Sequence, residues 1–145
     1  MSTIRKCTLK DVPQIAVLSR LWSDEAVTFA YPAASEDKIA QRLGDYFWIA
    51  EKDGLVIGYT HGAVQTSHYP VFPLNAPLLE IYEVYVHPDY RADGIGHQLV
   101  DSIIGEAESN GVMHALVGSS NLDWSRIVGF YERLGFKMWY VQMYR

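Results

Sequence analysis

Residues Arg91-Ala92-Asp93-Gly94-Ile95-Gly96 stand where an apolar, strand-like run from Leu78 to His87 gives way to a helix-like run starting at Ile95. A strand that enters a helix through such a seam presents the helix's first, unpaired amides to whatever lies beyond the strand end, which makes an anion site. Glycine at 94 and 96 removes side chains that would hold a phosphate oxygen off the backbone, and Arg91 adds a charged donor at the same mouth. The competing reading is a tight turn with no ligand. Two familiar phosphate loops are excluded. A P-loop needs Gly-Lys-Ser/Thr at the helix start, where this chain has Gly96-His97-Gln98, and a dinucleotide fingerprint needs a third glycine where Leu99 stands.

Two carboxylates, Glu80 and Glu83, lie on the run that feeds the seam. Three apart on a strand, they face opposite sides unless a bulge intervenes. The histidines raise the question of a metal, and His87-x-Asp89 with His97 is the one cluster worth testing. No helix places two of these ligands at i, i+4, so no metal is expected and the histidines read as loop or solvent-facing residues.

The elements that must position these residues follow from periodicity. Ile4 to Cys7 reads as a strand, then Thr8-Leu9-Lys10-Asp11 as a capping-box-like start. Val12, Ile15, Ala16, Leu18, Leu21 and Trp22 recur at helical spacing. Ser23 to Ser35 reads as a loop, and Ile39 with Leu43 as a further short helix. Tyr46 to Glu51 and Leu55 to Val64 are strand-like runs around the hairpin turn Lys52-Asp53-Gly54. Gln65 to Pro77, with three prolines, is an irregular loop. Ile95 to Ala107 is a helix ending near Asn110-Gly111, Ala115 to Gly118 a short strand, Trp124 to Leu134 a helix ended by Gly135, and Phe136 to Tyr144 a final strand. The order implies one α/β domain over residues 1–145 with a mixed sheet.

Composition bounds the partners. The chain has 145 residues, 49% of them hydrophobic, 12 basic and 17 acidic side chains and a formal charge of −5, which argues against a nucleic-acid surface and favours a cationic small partner. No apolar stretch approaches the roughly 18 residues of a membrane span, and the start lacks a secretory pattern, so a cytoplasmic location is expected. The single cysteine, Cys7, sits in a strand-like run and reads as a buried, inert thiol.

The run Val86-x-Pro88-x-x-Arg91-x-x-Gly94-x-Gly96 followed by Leu99 resembles the acyl-coenzyme A motif of the GNAT superfamily of N-acetyltransferases. Phe130-Tyr131-Glu132-Arg133-Leu134-Gly135-Phe136 resembles that superfamily's later motif at the expected distance, and the opening strand and helix look like its beginning. The resemblance implies a mixed, mostly antiparallel sheet flanked by helices and splayed at a β-bulge. It implies that the diphosphate of acetyl-CoA lies on the backbone of Arg91, Ala92, Asp93, Gly94, Ile95 and Gly96. The pantetheine arm would pair with Val84, Tyr85 and Val86, with a backbone amide near Tyr85 polarising the acetyl carbonyl. Ala92 and Asp93 depart from the family pattern, and Asp93 would repel the diphosphate unless its side chain turns away.

Acetyl transfer to an amine needs a base, for which Glu80 or Glu83 is the candidate; Glu80 matches the position of the catalytic glutamate in some family members. Tyr131 stands at the family's position for the tyrosine that donates to the departing sulfur. Asn121 looks like the family's coenzyme-contacting asparagine but comes too early relative to Tyr131, with Trp124 standing in the matching place. The acceptor expected is a primary amine of a small cationic molecule. Loops 23–35 and 65–77 would wall its cleft, and Trp22, Asp24, Glu25, Tyr31, Tyr69 and Phe72 could cage the charge. A protein or peptide N-acetyltransferase and a non-catalytic acyl-CoA sensor are the alternatives, and a homodimer is possible.

Overall fold

A computed structural model describes residues 1–66, 74–75 and 77–145. Five strands, β1 (Thr3–Lys6), β2 (Phe47–Lys52), β3 (Leu55–Gln65), β4 (Leu78–Val86) and β5 (Ala115–Val117), form one sheet in the order β1-β2-β3-β4-β5. The first four pair antiparallel and β5 joins β4 in parallel. A parallel neighbour needs a crossover, and α3 (Ile95–Ser109) supplies it. Helices α1 (Val12–Glu25) and α2 (Glu36–Gln41) cover the other face.

Each face has its own apolar core. Val12, Ile15 and Leu18 of α1 and Ile39 of α2 pack on Phe47, Ile49, Tyr59 and Tyr85. On the opposite face Leu99, Val100, Ile103 and Ala107 of α3 meet Ile57, Leu79 and Ile81, with Phe130 and Tyr131 of α4 (Trp124–Glu132) at the margin. The helical spacings expected in the sequence therefore mark the buried stripes. Cys7 is buried as expected, and burial pushes its thiol up to about 12.

The turn chemistry also agrees with the sequence reading. Asp53 and Gly54 both take positive φ between β2 and β3, as a two-residue hairpin requires. Gly111 and Gly135, with φ of +79° and +88°, end α3 and α4. At the start of α1, Asp11 accepts from the amide and hydroxyl of Thr8 at 2.8 and 2.9 Å and from two nitrogens of Arg5 at 2.9 Å. Arg5 also pairs with Glu51, so β1, β2 and the entry to α1 are tied at one point.

Three expectations need correction. The helix α1 runs on to Glu25, three residues into the expected loop, and stops where Ala26 turns left-handed. Residues 27–29 then pair with 120–122: Phe29 donates to the Ser120 carbonyl and Leu122 to that of Val27. The expected last strand, Phe136–Tyr144, does not form. A strand there would need an edge to satisfy its backbone, and β5 offers only three residues; Met138, Tyr140, Val141, Met143 and Tyr144 are exposed instead.

Arg5 is the main cause holding Asp11 down to about 2, against burial that works to raise it. A depressed carboxylate stabilises the fold above its ordinary value near 3.9 and loses that contribution as pH falls toward about 2. With Arg5 about a third exposed, Asp11→Asn is expected to cost about 1–2 kcal/mol at pH 7. Urea unfolding should show this penalty shrinking steadily from about pH 4 downward.

Candidate active site

The site is built around an irregularity in β4. Gly62 pairs with Ile81 and His61 with Glu83, which leaves Tyr82 as an extra residue on β4. A Cβ at position 62 would lie 2.2 Å from the Glu80 carbonyl oxygen, so only glycine admits this close approach. The bulge resolves the question of faces. Leu79 and Ile81 before it, and Val84 and Val86 after it, all pack toward α3. Glu80, Glu83 and Tyr85 consequently share the α1 face.

Glu83 is enclosed by donors. One oxygen accepts from the hydroxyls of Tyr59 at 2.9 Å and Tyr31 at 3.2 Å, and lies 3.5 Å from Nε2 of His61; the other lies 3.6 Å from Arg42. Burial works to raise the carboxyl, but the groups around it, His61 when protonated, Tyr59 and Arg42, outweigh it and hold it below its ordinary value. Glu80 accepts from Gln65 at 3.3 Å. An open cleft of ≈ 470 Å³ reaches Glu83 between Gln41, Arg42, His61, Ala63 and Tyr82.

On the other side of β4 a lane opens. The ladder to β5 covers only Leu79 to Ile81, so the backbone from Tyr82 to Val86 runs on without a β5 partner. The lane leads to the start of α3, where Ala92 and Gly94 take left-handed φ of +71° and +77°. Gln98 is the first amide of α3 to reach a carbonyl, that of Gly94, leaving the amides of Ile95, Gly96 and His97 at an N-terminus with no side-chain cap. Asp93 lines a hollow with Lys52, Tyr90, Ile95 and Gln98 at the start of α3.

Other expected residues have different partners. Arg91 forks onto Glu25 with two contacts of 2.8 Å, donates to the Val86 carbonyl at 2.9 Å and lies over the Tyr85 ring. Its guanidinium is thus spoken for by the end of α1. Gly96 faces Phe130, whose ring carbons would stand 3.2 Å from a Cβ, so its bareness serves helix packing. Asn121 accepts the Asp123 amide at 2.8 Å and its backbone bridges Thr28, which employs it in the turn before α4. Trp22 lies between Tyr31 and Tyr85, with ring centroids 4.3 and 5.2 Å away; both faces are occupied and it cannot cage a cation. Tyr69 and Phe72 fall outside the described residues.

Tyr131 packs edge-on against Phe130 and Phe136 beside the α3 core, and burial pushes its hydroxyl up to about 12. Among the described residues no three His, Cys, Asp or Glu side chains gather as metal ligands, and no helix is long and apolar enough to cross a membrane.

Residues 44–138 match the profile of the acetyltransferase (GNAT) domain. The chain belongs to the GNAT acetyltransferase family. Among GNAT relatives, it is 32% identical over 94 residues to N-acetyltransferase 8B of Homo sapiens, covering 65% of this chain and 39% of that protein. It is 25% identical over 145 residues to the L-methionine sulfoximine/L-methionine sulfone acetyltransferase of Pseudomonas paraeruginosa, covering 94% and 81% respectively. The fold is that of the aminoglycoside N-acetyltransferase AAC(6')-Iy in complex with CoA, with a TM-score of 0.77 at 20% identity over 100% of this chain and 94% of the other.

The GNAT sheet is sensitive at Gly96. Phe130 is wedged between His97 and Tyr131 at 5.0 and 4.9 Å, so it has little room to yield. Overpacking of about 1–3 kcal/mol opposes the ~1 kcal/mol helix gain of alanine, and Gly96→Ala should be net destabilising by about 1 kcal/mol. Phe130→Leu in the same chain should cancel the overpacking, a non-additivity that urea unfolding of the single and double variants would read.

Proposed function

We propose that this chain transfers the acetyl group of acetyl-CoA to the primary amine of a small, cationic molecule. The observation that carries the proposal is the stretch of β4 beyond the β5 ladder, Tyr82 to Val86, which pairs with β3 on one edge only and runs from Glu83 toward the uncapped amides of α3. An extended arm can add to that edge as a strand would, with Val84, Tyr85 and Val86 as its partners. Amides between Arg91 and Gly96 then meet the diphosphate, favoured by the helix dipole and by the left-handed turn at Gly94, where nothing would obstruct the approach.

Acetyl-CoA, when bound, supplies the thioester carbon that the amine attacks and the sulfur that leaves. Glu83 serves the deprotonation of the ammonium, since it floors the open cleft and is held anionic by its donors. The backbone near Tyr85 polarises the carbonyl. Tyr131, neutral across the physiological range, keeps its proton available for the sulfur. A small acceptor fits a cleft of ≈ 470 Å³ with one carboxylate at its floor. The Pseudomonas relative, matched over most of its length, is named for amino-acid-like acceptors, and the AAC(6')-Iy neighbour for aminoglycosides. A peptide acceptor and a non-catalytic sensor are the competing readings.

A thiol-release screen with acetyl-CoA across amino acids, polyamines, aminoglycosides and lysine peptides tests the proposal. Release with a small amine, and none with peptides, is the expected result; binding of acetyl-CoA without release from any amine would leave the sensor. With the acceptor found, Tyr131→Phe should lower kcat by roughly tenfold to a hundredfold with unchanged acetyl-CoA affinity. Glu80→Gln should leave turnover within about twofold, whereas Glu83→Gln should lower it by ~10²-fold or more.

A further inference from the structure

Among the described residues, one buried side-chain polar atom lacks a hydrogen bond: Nε2 of His61. The residue is 4% exposed, and its ring lies on Phe47 with centroids 5.2 Å apart and planes at 24°. Tyr82 flanks it at 5.9 Å. His61 is the cross-strand partner of Glu83, and the next residue, Gly62, is pressed against the β4 backbone, so the imidazole has little freedom to turn elsewhere. Its unpartnered nitrogen stands 3.5 Å from the Glu83 oxygen, at ion-pair range and too long for a hydrogen bond. An orphaned buried nitrogen is unfavourable to keep unless it has a task.

Resting on the transferase reading above, we infer that His61 stores the proton that the acceptor ammonium releases through Glu83, so that the His61–Glu83 pair acts as the base. One N–H bond of the ammonium breaks and its proton joins a Glu83 oxygen. It then passes to the lone pair on Nε2 of His61, with Nδ1 carrying the ring's other proton. The amine is left neutral, Glu83 returns to its anion, and the positive charge that entered on nitrogen ends on the imidazolium. Nothing else is oxidised, reduced or consumed.

The surroundings explain why the carboxylate would need help. Two tyrosine hydroxyls and Arg42 favour its anion, so it gives a proton up readily and holds one poorly. Tyr31 and Tyr59 are raised by burial, remain neutral donors and do not compete for the proton. Imidazole is the side chain that gains and loses a proton near neutrality. With Arg42 from beyond α2, Tyr31 from the loop after α1, Tyr59 from β3, and Tyr82 and Glu83 from β4, the ionisable groups around His61 among the described residues comprise one carboxylate, one guanidinium and three phenols.

His61→Gln and His61→Phe, the second keeping the packing on Phe47, are compared with wild type and Glu83→Gln. For both His61 variants kcat should fall by roughly 10²-fold near neutral pH with acetyl-CoA affinity unchanged, and the loss should shrink as pH rises and the free amine becomes common. A merely structural role would lower the rate equally at all pH values. Nuclear magnetic resonance titration of the His61 ring needs no acceptor: Glu83→Gln should move its midpoint to lower pH by at least about one unit, a tenfold loss of proton affinity. Wild-type turnover and pH limb in His61→Gln, or a midpoint unmoved by Glu83→Gln, would overturn the inference. Failure of the wild type to bind acetyl-CoA or to release thiol would instead overturn the transferase reading, and the ring titration still judges the pair.

Discussion

The tightest approach at any described glycine is the meeting of Gly62 with the carbonyl of Glu80, where a single added carbon would overlap the neighbouring strand. The bulge at Tyr82 depends on it, and the bulge sets the side on which every later residue of β4 emerges. Without the extra residue, Glu83 and Tyr85 would turn toward α3, and Val84 and Val86 would turn toward α1. Carboxylate and apolar side chains would exchange places, and neither core would close. One glycine thus joins the packing of the sheet to the chemistry of its α1 face.

From that point the molecule separates its tasks across β4. The α1 face holds Glu83 and its ring of donors, and the opposite edge leaves backbone free toward the start of α3. The two are connected through a stack in which Tyr31, Trp22 and Tyr85 lie nearly parallel, continued by Arg91 over Tyr85 and closed by Glu25. Glu25 is held below its ordinary value by Arg91 and Tyr85 despite burial, so the fork stays charged. The end of α1 is thereby fixed to the mouth of the lane beside β4, and the loop that follows is fixed to Glu83 through Tyr31.

Much of this was legible in the sequence because it rests on local rules. Periodicity located α1, α3 and α4 and the β2–β3 hairpin, since burial of one stripe per helix and a two-residue turn are properties of short segments. The family motifs pointed to the seam at Gly94 for the same reason. What could not be read depended on pairs distant in the chain. Periodicity alone puts Glu80 and Glu83 on opposite faces, and only the register against β3 reverses that. Gly96 reads as clearance for a ligand until Phe130, far along the chain, arrives against it. His61 reads as one more loop or surface histidine, because nothing local marks its burial against Phe47 and Glu83; its place within an apolar β3 run, one residue before a strand glycine, is the available signal. The Phe136–Tyr144 alternation is strand-like in composition, yet composition supplies no edge to pair with.

The bulge has a bearing on how such a protein changes over generations. Tyr82 stands outside the ladder and contributes its side chain to the wall of the cleft, while its neighbours on either side carry the register. Inheritance can therefore revise that wall by one substitution without disturbing the strand pairing or the carboxylate beside it. Selectivity for a new acceptor and integrity of the scaffold are placed on adjacent residues with separate obligations, which lets one drift while the other is held.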